Sequence, residues 1–187
     1  MCNSFNKKFL DEASKHWSDS EDAKRRKEKE QTRVDGFMMK AIEMALKGVE
    51  NSEGGPFGCV VVKDGKIIGK GNNRVTSNQD PTAHAEILAI REACDHLGSH
   101  QLEGCVLYTT CEPCPMCLGA IYWARPEKVY YAGTRIDAAK SGFDDALIYQ
   151  EILLTPEDRS IEFLQMGRTE ALEAFSRWDE KEDKIEY

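Results

Sequence analysis

The sequence predicts a layered α/β domain. Segments with apolar residues at helical spacing alternate with short β-branched runs, the pattern of helices packed on a sheet. An Asp-Gly pair, Asp64-Gly65, separates two of those runs, a strong hairpin signal. The size agrees. A chain of 187 residues with 41% hydrophobic residues suits one domain, burying about two-thirds of its unfolded surface without disulfides.

The elements follow in order. Residues 1–33 read as a charged extension, because positions 18–33 hold a single alanine as their only hydrophobic residue. Such a stretch is expected to be solvated, mobile or loosely helical. The alternative is a docking tail using Phe5, Phe9, Leu10 and Trp17. The body is expected over 34–187. Asp35 can cap a helix carrying Phe37, Met38, Ala41, Ile42, Ala45 and Leu46, and Gly48 fits its stop. Cys59 to Val62 reads as a strand, and Ile67-Ile68 lies in its hairpin partner. Asp80-Pro81 closes a polar loop and opens a helix with Ile87, Leu88, Ile90 and Arg91. Cys105 to Thr109 reads as a buried strand. A cysteine-rich turn then leads into a helix through Leu118, Ile121 and Tyr122, limited by Pro126. Val129 to Ala132 is the next strand. Residues 134–160 have no clear period. A last helix uses Ala171, Leu172, Phe175 and Trp178 before an acidic tail.

Charge and targeting narrow the function. The net charge is −8 and the pI about 5.1. Residues 1–33 hold nine Lys and Arg against seven Asp and Glu, so the body is the more acidic part. A nucleic-acid substrate is disfavoured, since phosphate binding calls for a basic face. No apolar run reaches the length of a membrane span, and the amino terminus has no signal-like apolar stretch. The seven cysteines are odd in number, and three crowd into positions 111, 114 and 117. That fits reduced cytoplasmic thiols with a metal site better than disulfides. Cys59, Cys94 and Cys105 read as small core residues, Cys2 as exposed, and His96 and His100 as surface residues.

Two motifs carry chemistry. His84-Ala85-Glu86 and Pro113-Cys114-Pro115-Met116-Cys117 each stand at an expected helix start. Together they form the H-x-E … P-C-x-x-C pattern of zinc deaminases. Cys114 and Cys117, three apart, present both sulfurs to one side of a helix start. One His and two Cys leave a fourth tetrahedral position open, the mark of a catalytic zinc site. Glu86, which a structural site would not need, can shuttle protons. Residues two apart in a helix point in opposite directions, so His84 and Glu86 share a pocket only in an irregular first turn. Cys111 leaves a rival Cys111–Cys114 pair and a four-ligand site open, although packing behind the turn is the simpler expectation.

The chain from about 34 onward resembles the cytidine-deaminase-like superfamily, and within it the small bacterial-type guanine deaminases. The stretches that carry the resemblance are Gly54-Gly55-Pro56-Phe57-Gly58, Asp80 to Glu86, Thr110 to Pro126, Gly142-Phe143-Asp144-Asp145 and the terminal Glu186-Tyr187. The first three recur in related purine and tRNA deaminases, while the last two point to guanine. The resemblance implies a three-layer α/β/α fold around a central mixed sheet. It implies one zinc per subunit on His84, Cys114 and Cys117, with Glu86 as proton shuttle. Asn73 would bond the purine, with Phe57 and Trp123 lining the base slot around His84. Asp145 would be a second proton-handling or orienting carboxylate. Tyr187 would close the pocket, after a swap of the carboxy-terminal segment within a homodimer. Residue by residue, plainer roles compete: a turn for Asn73, core packing for Phe57 and Trp123, a helix cap for Asp144-Asp145, a frayed end for Tyr187.

The expected activity is hydrolytic deamination of guanine to xanthine and ammonia by a cytoplasmic enzyme. Another base or nucleoside, a tRNA adenosine, or a non-catalytic zinc module are the alternatives. The acidic carboxy-terminal tail argues against tRNA.

Overall fold

The computed structural model describes residues 4–186, with side chains from Glu21 onward. Four strands form one mixed sheet in the order β2-β1-β3-β4. They are β1 Gly58–Lys63, β2 Lys66–Asn72, β3 Cys105–Cys111 and β4 Lys128–Gly133. β1 is antiparallel to β2 and β3, whereas β4 runs parallel to β3 and is reached through a helix. Asp64 and Gly65 both take positive φ, 50° and 74°, as a two-residue hairpin turn of the I′ class requires.

The helices are α1 Ser4–Glu50, α2 Val75–Asn78, α3 Ala85–Leu97, α4 Pro115–Ala124, α5 Arg135–Lys140, α6 Ala146–Glu151 and α7 Arg168–Asp179. Because side chains alternate along a strand, the sheet builds one core on each face. Cys59, Val61, Cys105 and Leu107 pack against Ala85, Ala89, Ile90 and Ala93 of α3 and Ile121 and Ala124 of α4. Val60, Val62 and Tyr108 pack against Ala41 of α1, with Val34, Phe37 and Met38 beside it. The result is the expected three-layer α/β/α arrangement. Cys59 and Cys105 lie wholly in the core, and His96 and His100 are exposed.

Three elements differ from the sequence reading. The first helix does not start at Asp35. It runs unbroken from Ser4, so Asp35 is an interior residue accepting from Gln31 rather than a cap. The charged stretch is rich in helix formers and closes i,i+3 pairs, Arg25–Asp22 and Arg33–Glu30. Packing on the sheet begins at Val34. Cys2, and the side chains of Phe5, Phe9, Leu10 and Trp17, lie outside the described residues. The helix expected from Asp80-Pro81 starts later, at Ala85, and Arg91 on its expected face is exposed. Besides the expected Ile87 and Ile90 it buries Ala85, Ala89 and Ala93, because α3 lies almost in contact with β2. A Cβ on Gly69 would stand 2.3 Å from the Ala89 carbonyl oxygen. β2 therefore extends through Gly69 and Gly71 to Asn72, beyond the apolar pair Ile67-Ile68. On the opposite face, a Cβ on Gly58 would fall 2.1 Å from the Ala41 carbonyl oxygen of α1.

Beyond β4 the chain forms α5, with a Thr134/Asp137 capping box, then α6 and α7. The final helix is where the sequence expects it, but its apolar residues do not anchor it within the chain. Leu172, Phe175 and Trp178 are all exposed, Phe175 to 66%. No helix among the described residues is long and apolar enough to cross a membrane.

Candidate active site

Two helix starts build the site. His84 is the residue before α3 and takes an extended conformation (φ −72°, ψ 154°). Cys114 occupies the same position before α4 (φ −64°, ψ 167°), and Pro115, with its fixed φ, opens that helix. His84 is therefore outside the helix whose first turn holds Glu86, which removes the conflict between residues two apart. β1 and β3 bring the two helix starts together, since α3 and α4 share one face of the sheet.

His84, Cys114 and Cys117 offer ligand atoms that all lie within 4.8 Å of one another. His84 Nδ1 stands 3.5 Å from each sulfur. Nitrogen and sulfur on a tetrahedral zinc, at about 2.0 and 2.3 Å, are about 3.5 Å apart. The donor set and its spacing thus fit zinc. The two close sulfurs disfavour a second charge: the Cys114 pKa falls to about 4 beside Cys117 and His84, and that of Cys117 is driven upward. His84 is raised chiefly by its bond to Cys114. Among the described residues Cys111 is not part of this cluster. Its sulfur sits 3.5 Å from the Thr134 carbonyl oxygen, and burial pushes its pKa up to about 11. The rival pair and the four-ligand site are thereby set aside.

Glu86 is 5% exposed and lies against the cluster. Thr109 Oγ1 donates to its Oε1 at 3.1 Å, and Cys117 Sγ donates to its Oε2 at 3.4 Å. Burial raises the Glu86 pKa, and these hydrogen bonds partly offset the rise. A buried carboxyl beside the ligand cluster is placed to take and return a proton.

The other expected residues are distributed as follows. Asn73 is buried, and its Oδ1 accepts from the N–H groups of Gly55 and Val75. Its own N–H donates to the Phe57 carbonyl at 3.0 Å. Phe57 meets Phe143 edge-on, with centroids 4.9 Å apart. Asp144 takes the local turn bond, accepting from Ala146 N–H at 2.9 Å. Asp145 makes no cap bond, is half-buried, and has its pKa raised by burial and by the charge on Cys114. Trp123 lies on α4 and is 62% exposed. Tyr187 lies outside the described residues. Thr109 and Phe143 were not singled out as site residues by sequence. A polar residue inside an apolar strand was the available signal for Thr109.

Comparison with known proteins adds to this geometry. Residues 31–133 match the family model described as the cytidine and deoxycytidylate deaminase zinc-binding region. A guanine deaminase of Bacillus subtilis is 56% identical over 151 residues, covering 81% of this chain and 97% of that protein. An X-ray structure of guanine deaminase from Bacillus subtilis superposes with a TM-score of 0.80 at 55% identity, covering 82% of this chain and 98% of that one. A tRNA-specific adenosine deaminase of Aquifex aeolicus is 48% identical over 96 residues, covering 51% of this chain and 63% of that protein.

Proposed function

The chain belongs to the cytidine and deoxycytidylate deaminase family, and from that membership we propose that it hydrolyses guanine to xanthine and ammonia. The reach of the likeness carries guanine over other bases. Identity with a guanine deaminase extends across 97% of that protein, against 63% for the tRNA-specific relative. The zinc motifs, common to both, do not discriminate.

His84, Cys114 and Cys117 would hold zinc, which would supply the Lewis acidity that makes water nucleophilic near neutral pH. Glu86 takes the proton that this water loses and delivers it to the exocyclic nitrogen. A C–O bond forms at the ring carbon, the C–N bond breaks, and ammonia leaves. Thr109 holds Glu86 in place through Oε1. Asn73 bonds the purine through its amide. Its Oδ1 is engaged by backbone N–H groups, and Nδ2 remains to donate. Phe57 and Trp123 flank the base. Asp145, half-buried beside the charge of Cys114, is the second proton-handling or orienting carboxylate, and Tyr187 closes the pocket.

The working form is a homodimer with exchanged carboxy-terminal segments, in the cytoplasm. Apolar side chains between α6 and the chain end support this, since Leu153, Ile161, Leu164, Met166 and Phe175 all stand open in a single chain. The charged stretch before Val34 is read as an extension of the catalytic domain, continuous with the packed part of α1.

Metal removal tests the chemistry. Chelation should abolish ammonia release from guanine, and zinc at one equivalent per chain should restore it with xanthine as co-product. Unchanged release after chelation would overturn the reading.

A further inference from the structure

Glu53 stands outside every motif above, yet each of its polar groups is engaged. It follows the end of α1, where Ser52 takes a left-handed φ of 57°. Ser52 N–H donates to the Val49 carbonyl and Glu53 N–H to the Gly48 carbonyl, at 3.0 and 2.9 Å. This is a Schellman ending, and it fixes the Glu53 backbone to the helix. The Glu53 carbonyl accepts from Ser77 N–H and Thr76 Oγ1, both at 3.3 Å. Its carboxylate Oε2 accepts from Asn72 Nδ2 at 2.6 Å and lies 3.7 Å from Arg74 Nε. Asn72 is itself buried at the end of β2.

Residues 72, 74, 76 and 77 surround Asn73, so a single residue ties both flanks of that turn to α1. The fit around Asn73 is close. A Cβ on Gly54 would stand 2.4 Å from Asn73 Oδ1. An amide clamped by its neighbours keeps one orientation, and preorganised donors bind a substrate without an ordering cost. We propose that Glu53, through Asn72, is a positioning residue that fixes the Asn73 amide for recognition of the purine. This rests on the reading of Asn73 as a purine-binding residue.

The test uses zinc-loaded full-length protein and steady-state kinetics with guanine. Glu53→Ala should lower kcat/KM about tenfold, mainly through KM, because a hydrogen bond to a charged group is lost. Zinc content should be unchanged. Glu53→Gln, which keeps an acceptor for Asn72, should recover to within about threefold of wild type. Asn72→Asp should reproduce the KM defect by setting two carboxylates face to face. Adding Glu53→Gln to it, which reverses donor and acceptor, should relieve the defect. In an Asn73→Ala background Glu53→Ala should cost less than about twofold, since coupled residues are not additive. Wild-type kcat/KM in Glu53→Ala, a lower melting temperature alone, or a full second loss in the Asn73→Ala background would overturn the proposal. An Asn73→Ala enzyme with wild-type kcat/KM would instead refute the role of Asn73, and the role of Glu53 with it.

Discussion

At Glu86 two opposing influences meet. Burial favours the protonated carboxyl, while Thr109 and Cys117 donate to the charged form. Replacing the group with an isosteric amide keeps the packing and removes the proton transfer. Glu86→Gln should therefore retain one zinc and a native circular dichroism spectrum while kcat falls by about 10² to 10⁴. Near-normal turnover in the metal-replete variant would exclude it as the shuttle. Cys111 offers the complementary test. Its sulfur faces the Thr134 carbonyl rather than the ligand cluster. Cys111→Ser should keep full zinc stoichiometry by metal analysis, whereas Cys114→Ser should not. Loss of zinc from the Cys111 variant would reopen the four-ligand site. The ligands and Glu86 were legible from sequence because metal chemistry demands given residue types at given spacings. Thr109 and Glu53 were not, since each matters through a partner distant along the chain.

At the scale of elements, legibility depended on where the signal resides. The hairpin was plain because the turn itself demands Asp-Gly. The true start of α1 was hidden because its charged part has helix formers but no apolar period. On α3, Ile87 and Ile90 are buried as the sequence suggests, but Arg91 is exposed and alanines complete the buried face. That choice follows from the close approach of α3 to β2, which can be tested. Gly69→Ala must push Ala89 and Ala93 away, with the nearest backbone oxygen only 2.3 Å from the new carbon. It should cost about 1–3 kcal/mol in denaturant unfolding, the usual range for overpacking. A neutral substitution would show that the helix and strand are not so closely set. The irregular region after β4 was unreadable for a different reason. Its apolar residues, among them Leu147 and Leu153, are not covered within the chain, so no amphipathic period had to be kept.

For the whole molecule, the extension and the carboxy-terminal segment make opposite predictions. Residues 21–33 are all solvent-exposed, and packing starts at Val34. The family match begins only at residue 31. Removing residues 1–31 should leave guanine kcat/KM within about twofold, as surface changes away from the site usually do. A folded, zinc-bound truncation without turnover would show the extension to be part of the enzyme. Deleting Ile185-Glu186-Tyr187 should instead cut turnover sharply while zinc content persists, because loss of a lid admits water and loosens the purine. If the lid crosses between subunits, mixing this deletion with Glu86→Gln chains should restore part of the activity, each heterodimer holding one intact site. Full activity in the deletion would remove the lid.

On the proposed reading, substrate choice draws on all three scales: the zinc centre for chemistry, the clamped turn for recognition, and the carboxy-terminal segment for closure. Ammonia release by zinc-loaded protein, measured separately with guanine, guanosine, adenine, cytosine, cytidine and a tRNA anticodon stem-loop, tests it most directly. Guanine should give the highest kcat/KM, with xanthine and ammonia formed in equal amounts. A higher kcat/KM for any of the others, or no release from guanine with zinc bound, would contradict guanine as the substrate of this site.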